Sequence, residues 1–132
     1  MRHFGLIGYP LTHSFSPNYF KNKFESIEVK HADYKSFEIH DLNSIKKLVK
    51  TKDLSGFNVT IPHKQSIIPY LDELTPEANA IGSVNCVKVV EGKLIGYNTD
   101  AFGFKTSLIH LIGDKTIEKA IILGNGGSAK AV

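Results

Sequence analysis

Asn58 and Thr60 interrupt an otherwise apolar run, Gly56-Phe57-Asn58-Val59-Thr60-Ile61, and Lys64 follows just after Pro62. A parallel strand buried on both faces is apolar throughout, so two polar residues here mark a strand end. Alternation sets Asn58 and Thr60 on one face and Val59 and Ile61 on the other. In open α/β sheets, ligands bind in the crevice outside the carboxyl ends of the strands. The three polar side chains either wall such a pocket or do local work, with Asn58 and Thr60 bonding loop backbone and Lys64 facing water. Ser14 and Ser16, flanking Phe15, pose the same choice. A helix N-terminus offers free N–H groups and partial positive charge to a carboxylate, and paired hydroxyls add donors. Alternatively, Ser16 caps the helix and Ser14 is a loop serine.

Asp100 follows Tyr97-Asn98-Thr99. It suits the first turn of a helix through the dipole, or it pairs with Lys64 and fixes that side chain. Asn85, in Gly82-Ser83-Val84-Asn85-Cys86, is a polar strand residue, either structural or ligand-facing. Near the end stands Gly124-Asn125-Gly126-Gly127-Ser128-Ala129-Lys130-Ala131, after an apolar run. Strand, glycine turn and helix start together make a dinucleotide-binding turn, where backbone approaches a pyrophosphate. Ala129 stands where a Walker A loop needs glycine before its lysine, so that motif is excluded. A surface loop is the plain alternative.

The elements that must position these residues follow from periodicity. Residues 3–8 read as a strand. Ser16-Pro17 opens a helix with Phe20, Phe24 and Ile27 as a buried stripe. A strand over 32–39 precedes a helix over 42–51, capped by Asp41 or Asn43, with Ile45, Leu48 and Val49 inward. The strand at 56–61 ends at Pro62. Short helices fill 64–82. Residues 84–90 and 93–97 form a hairpin across Glu91-Gly92. Thr99 caps a helix running to Ile112, with Ala101, Phe104, Leu108 and Leu111 on one face and Gly113 at its end. Residues 119–123 read as a last strand. The alternation predicts an α/β fold with a mostly parallel mixed sheet flanked by helices. Polar residues 113–116 separate a domain over 1–113 from residues 114–132, which read as the first strand and turn of a Rossmann-like domain.

Bulk properties narrow the function. With 132 residues, 42% hydrophobic and 22% charged, the chain can bury one real core. The net charge of +3 comes from scattered lysines, with no basic stripe for nucleic acid. Cys86, the single cysteine, allows no internal disulfide, which fits a reducing, cytoplasmic setting. No apolar stretch is long enough for a membrane span. The six histidines lack ligand spacing, so no metal site is expected.

Taken in order, the segments Gly8-Tyr9-Pro10, His13-Ser14-Phe15-Ser16-Pro17, Gly56-Phe57-Asn58-Val59-Thr60-Ile61-Pro62-His63-Lys64, Asp72-Glu73-Leu74-Thr75, Ala80-Ile81-Gly82-Ser83-Val84-Asn85 and Gly96-Tyr97-Asn98-Thr99-Asp100, with the glycine-rich turn, resemble the shikimate dehydrogenase family. The resemblance covers nearly the whole chain. It implies reversible NADPH-dependent reduction of 3-dehydroshikimate to shikimate, on the route to chorismate and the aromatic amino acids. By resemblance, Ser14 and Ser16 hold the substrate carboxylate, and Asn58, Thr60, Asn85 and Asp100 hold ring hydroxyls. Lys64 is the acid/base residue with Asp100 beside it. Gly124, Gly126 and Gly127, with Asn125 and Ser128 in the same turn, face the NADP phosphates. A small-molecule substrate is the implied partner, in a monomer or homodimer.

These roles fit the chemistry, since hydride arriving at a ketone carbon builds charge on an oxygen that a positioned donor must stabilise and protonate. Cys86 stands where the family often has Thr, and Asn125 and Ser128 replace small residues of the glycine turn. A βαβ unit needs about 30 residues or more, so these 132 residues are expected to bind substrate without turnover. Two other readings stand beside this one. One is a quinate/shikimate dehydrogenase of broader specificity. The other is a non-catalytic ligand-binding module, which would need neither Lys64 nor Asp100.

Overall fold

Branched apolar residues alternating with polar ones form six strands, and the computed structural model, which describes all 132 residues, joins them in one mixed sheet ordered β2-β1-β3-β5-β6-β4. β1 (Arg2–Gly8) lies parallel to both β2 (Ala32–Glu38) and β3 (Leu54–Val59). β5 (Cys86–Val90) runs antiparallel to β3 and to β6 (Lys93–Tyr97). β4 (Glu73–Leu74) adds a short parallel edge to β6. This is the expected α/β fold with a mostly parallel mixed sheet. The β5–β6 hairpin turns at Glu91 (φ 52°) and Gly92 (φ 80°), and two positive φ values match the twist of paired strands.

One sheet face carries the core. Ile7, Phe57, Val59, Val87 and Leu94 pack against Ile45 and Val49 of α2 (Ile45–Thr51), Ile67 beyond α3 (His63–Ser66), and Ala78 of α4 (Pro76–Ile81). Each fully buried isoleucine contributes about 1.5–3 kcal/mol, so this layer anchors the strand ends. On the other face, α1 (Ser16–Ser26) lays Phe20 on Tyr34 and Phe24 against Phe4.

Several expectations shift. β3 starts and ends two residues earlier than expected, so Ile61 leaves the sheet and is 71% exposed. The α1 stripe is only half-buried and Ile27 is exposed, because the helix covers just the β1–β2 part of its face. At α2 the cap position falls to Ser44 without a side-chain bond, while the Asp41 carboxylate closes a turn onto the Asn43 N–H. The stretch expected as short helices also contains β4, which forms because Asp72 accepts from the Leu94 N–H and brings the edges together. α5 (Asp100–Ile112) has the expected span, yet none of its residues is buried and the Phe104–Leu108–Leu111 face has no partner layer.

The expected strand over residues 119–123 does not form. A strand needs a neighbouring edge to bond; here Ile121 and Leu123 are 86% and 93% exposed and no strand runs alongside. The glycine turn leads into a single 3-10 turn, Ala129–Ala131, rather than an α-helix.

Candidate active site

The carboxyl ends of β1 and β3 and the start of β5 reach the same edge of the sheet. Backbone bonds lock the loops there: Thr60 N–H to the Ile7 carbonyl at 2.9 Å, Val59 N–H to Asn85 at 2.9 Å, and Val84 N–H to Lys64 at 2.8 Å. The result is a cavity of about 230 Å³ lined by Ser14, Ser16, Asn58, Thr60, Lys64 and Asn85, with Leu6, Phe20 and Val59 as its apolar part. Six of the seven residues expected to contact substrate therefore share one pocket. The seventh, Asp100, lies beside it, reached through Lys64.

Lys64 Nζ donates to Asp100 Oδ2 at 2.6 Å, with side-chain exposures of 15% and 31%. α3 aims Lys64 back over the strand end, and α5 presents Asp100 from its first turn. Asn85 Nδ2 donates to Asp100 Oδ1 at 2.8 Å, so each carboxylate oxygen has a partner. An ammonium partly out of water beside a fixed carboxylate is a positioned proton donor for a developing oxyanion.

Ser16 is not the helix cap. Phe15 takes that position with no side-chain bond, and Ser16 is the first helical residue, followed by Pro17. Its hydroxyl is therefore free of capping duty at a helix end whose field favours anions. Thr99 occupies the cap position of α5 but does not cap either. Asn98 Oδ1 accepts the Ala101 N–H at 3.2 Å instead, while Thr99 engages Asn85.

Of the five residues of the glycine turn, Gly127 and Ser128 reach this site. Lys64 Nζ donates to Ser128 Oγ at 3.1 Å, and Gly127 lies so close that an added Cβ would stand 2.6 Å from Lys64 Cβ and 2.8 Å from Ser83 Oγ. Gly124 (φ 116°) and Gly126 have open space around them, and Asn125 is exposed between them.

Two participants were not foreseen. Thr99 bridges to Asn85 through its N–H and its hydroxyl. The run Asn98-Thr99-Asp100, three polar residues before an apolar helix, was the available signal. Tyr34 donates its hydroxyl to Asn58 Oδ1 at 2.9 Å; in the sequence it is an ordinary strand aromatic.

Residues 6–87 match the family model described as the shikimate dehydrogenase substrate binding domain. The chain is similar to the shikimate dehydrogenase (NADP(+)) of Desulfitobacterium hafniense, with 42% identity over all of this chain and 49% of that protein. Among solved structures, shikimate dehydrogenase 1 from Peptoclostridium difficile superposes with a TM-score of 0.92 at 41% identity, covering 99% of this chain and 50% of that one. The shikimate 5-dehydrogenase of Thermus thermophilus, solved in complex with NADP(H) and shikimate, gives 0.85 at 35%, covering 100% and 50%. The chain thus spans about half the length of the relatives it matches. No helix is long and apolar enough to cross a membrane.

Proposed function

This chain belongs to the shikimate dehydrogenase family, and from that premise we propose that it supplies the substrate site of an NADP-dependent oxidoreductase interconverting 3-dehydroshikimate and shikimate. The single observation that carries the reading is the Lys64–Asp100 pair, 2.6 Å apart, at the edge of a polar cavity containing Ser14, Ser16, Asn58, Thr60 and Asn85. A module that only binds a ligand has no need of a fixed ammonium at that edge.

Ser14 and Ser16 receive the carboxylate at the start of α1, where hydroxyls, free N–H groups and helix field all favour an anion. Asn58, Thr60 and Asn85 meet ring hydroxyls. Lys64 faces the oxygen that changes between ketone and alcohol; it stabilises charge there during reduction and delivers the proton. Asp100 holds the ammonium in place. When bound, NADPH would supply the hydride. The residues that would hold it are Gly124, Asn125, Gly126, Gly127 and Ser128. They fit in one respect, because Gly124 and Gly126 leave the backbone open to close approach. They lack another, since no α-helix N-terminus follows within the chain. Residues 1–113 are then the substrate-binding domain and 114–132 begin the nucleotide-binding one. These 132 residues on their own bind shikimate without turnover.

The test has two arms. Calorimetry on this chain should show shikimate binding and no NADP binding. Fused to the nucleotide-binding half of the Desulfitobacterium relative, the chain should oxidise shikimate with NADP, and Lys64→Ala should lower turnover by roughly 100-fold or more while binding changes far less. Near-normal turnover by Lys64→Ala would remove the lysine from the chemistry.

A further inference from the structure

Asn58 stands between two concavities. On one side it lines the polar cavity of the proposed site; on the other it lines an apolar groove of about 870 Å³ between α1 and the open face of β3, β5 and β6. A primary amide in such a wall matters by its orientation, because its oxygen only accepts and its nitrogen only donates.

Two contacts set that orientation. One end of the amide lies 3.3 Å from the Asn85 backbone carbonyl. A carbonyl can only accept, so this end must be the nitrogen. The other end is then the oxygen, and the Tyr34 hydroxyl 2.9 Å away must be its donor. Tyr34 reaches it from β2 across β1, since the strand order is β2-β1-β3. Its ring is held by stacking on Phe20 of α1, with centroids 4.4 Å apart and planes at 17°. Burial pushes the Tyr34 hydroxyl well above the ordinary tyrosine range, with a smaller opposing effect from Ser16, so it remains a protonated donor at any working pH.

We infer that Tyr34, which does not line the cavity, is a positioning residue: its hydroxyl fixes the Asn58 amide so that the site meets a substrate hydroxyl with one donor–acceptor pattern rather than two. The inference rests on the reading of the cavity as a shikimate site. Without the phenol oxygen only the 3.3 Å bond to the Asn85 carbonyl still opposes turning the amide over, and each turn would present the wrong atom to the ring. Because Phe20 also lines the cavity, the same tyrosine ties the helix bearing Ser16 to the strand bearing Asn58.

Shikimate titrations of the parent chain, Tyr34→Phe, Asn58→Ala and the double variant test this. Phe keeps the ring and its stacking. Loss of one neutral hydrogen bond's worth of order should weaken shikimate binding about 3- to 10-fold in Tyr34→Phe. In the Asn58→Ala background the same change should cost less than about 2-fold, because no amide is left to orient. Parent-like affinity in Tyr34→Phe, or an equal loss in both backgrounds, overturns the inference and leaves the functional reading standing. No shikimate binding by the parent overturns both. A measurement on the parent keeps the test independent of how the variants fold: the Tyr34 hydroxyl proton should appear as a resolved, slowly exchanging NMR resonance that shifts on adding shikimate. A hydroxyl proton in fast exchange with water would also overturn it.

Discussion

Replacing both Ser14 and Ser16 with alanine separates two roles that the sequence left open. If Ser16 capped α1, its loss would cost roughly 0.5–2 kcal/mol of stability. The structure assigns no cap bond to it and places it inside the first turn, so that cost should be absent. Alanine is the better helix former, which sets the expected stability change between zero and a gain of about half a kcal/mol. Affinity should respond in the opposite sense. A hydrogen bond to a charged group contributes about 1.5–3 kcal/mol, and each 1.4 kcal/mol is tenfold in affinity. One lost bond is therefore worth about 10- to 150-fold. The α1 N-terminus and Lys64 still attract the anion, so the double variant should stay within about 1000-fold of the parent rather than showing the full product. The assay is calorimetric titration with shikimate and with its methyl ester, beside urea unfolding of both proteins. The ester carries no charge, so the variant should lose much less affinity for it. Equal losses for acid and ester, or a loss of stability matching a cap, would refute the assignment.

Two further outcomes follow from local geometry. Gly8→Ala puts a Cβ 2.5 Å from Thr60 Cγ2 and 2.9 Å from the Ile61 carbonyl, so it should push the site loop outward, cost about 1–3 kcal/mol in urea unfolding and weaken shikimate binding; unchanged values for both would contradict the packing. Partial burial raises the Asp33 carboxyl, but hydrogen bonds from His3 and Lys35 outweigh it and hold it below its usual range. A depressed folded pKa stabilises above the unfolded value of about 3.9 and stops doing so as pH falls through the folded one. Asp33→Asn should therefore cost at most about 1 kcal/mol at pH 7, a gap that urea melts should find closing below about pH 3 to 4; a gap that persisted there would refute the ion-pair explanation.

Local chemistry made much of the fold legible. The Glu91-Gly92 pair specifies its own turn, and Ile45 and Val49 mark a helix face whatever covers it. The cap positions failed locally, but the larger failures depend on contacts that no local pattern announces. β4 exists because Asp72 and Leu94 meet, and no pattern in Glu73-Leu74 announces it. Residues 119–123 carry strand composition without a neighbouring edge, and α5 carries an apolar face without a layer to cover it. At the site, residue types alone left Lys64, Asp100 and the serines open between structural and ligand roles, since a hydroxyl or carboxylate at a helix start serves equally well as a cap or dipole partner; the order of the family-like segments tipped the choice. Tyr34 stayed hidden because its ring packs as any strand aromatic would, and only its oxygen reports a second task.

The hydrogen-bond inventory divides the labour within the pocket. A lysine ammonium has three donors. Two of Lys64's are taken, by Asp100 Oδ2 and Ser128 Oγ, which leaves one for an oxygen in the cavity. Asn85 is more fully committed. Its nitrogen serves Asp100 Oδ1 and Thr99 Oγ1, both at 2.8 Å, and its oxygen accepts the Thr99 N–H at 2.9 Å. A substrate hydroxyl reaching Asn85 must share or displace one of these bonds, and the Thr99 hydroxyl, the only uncharged side chain among them, is the cheapest to give up. Asn85 thus acts first as the frame that holds Asp100 beside the lysine, and a substrate contact proposed for it comes second to that. Ser16, relieved of capping though close to the Tyr34 hydroxyl, and the remaining Lys64 donor are the groups with most capacity to spare. They stand at the start of α1 and beyond the end of β3, where the carboxylate and the reacting oxygen would respectively be held.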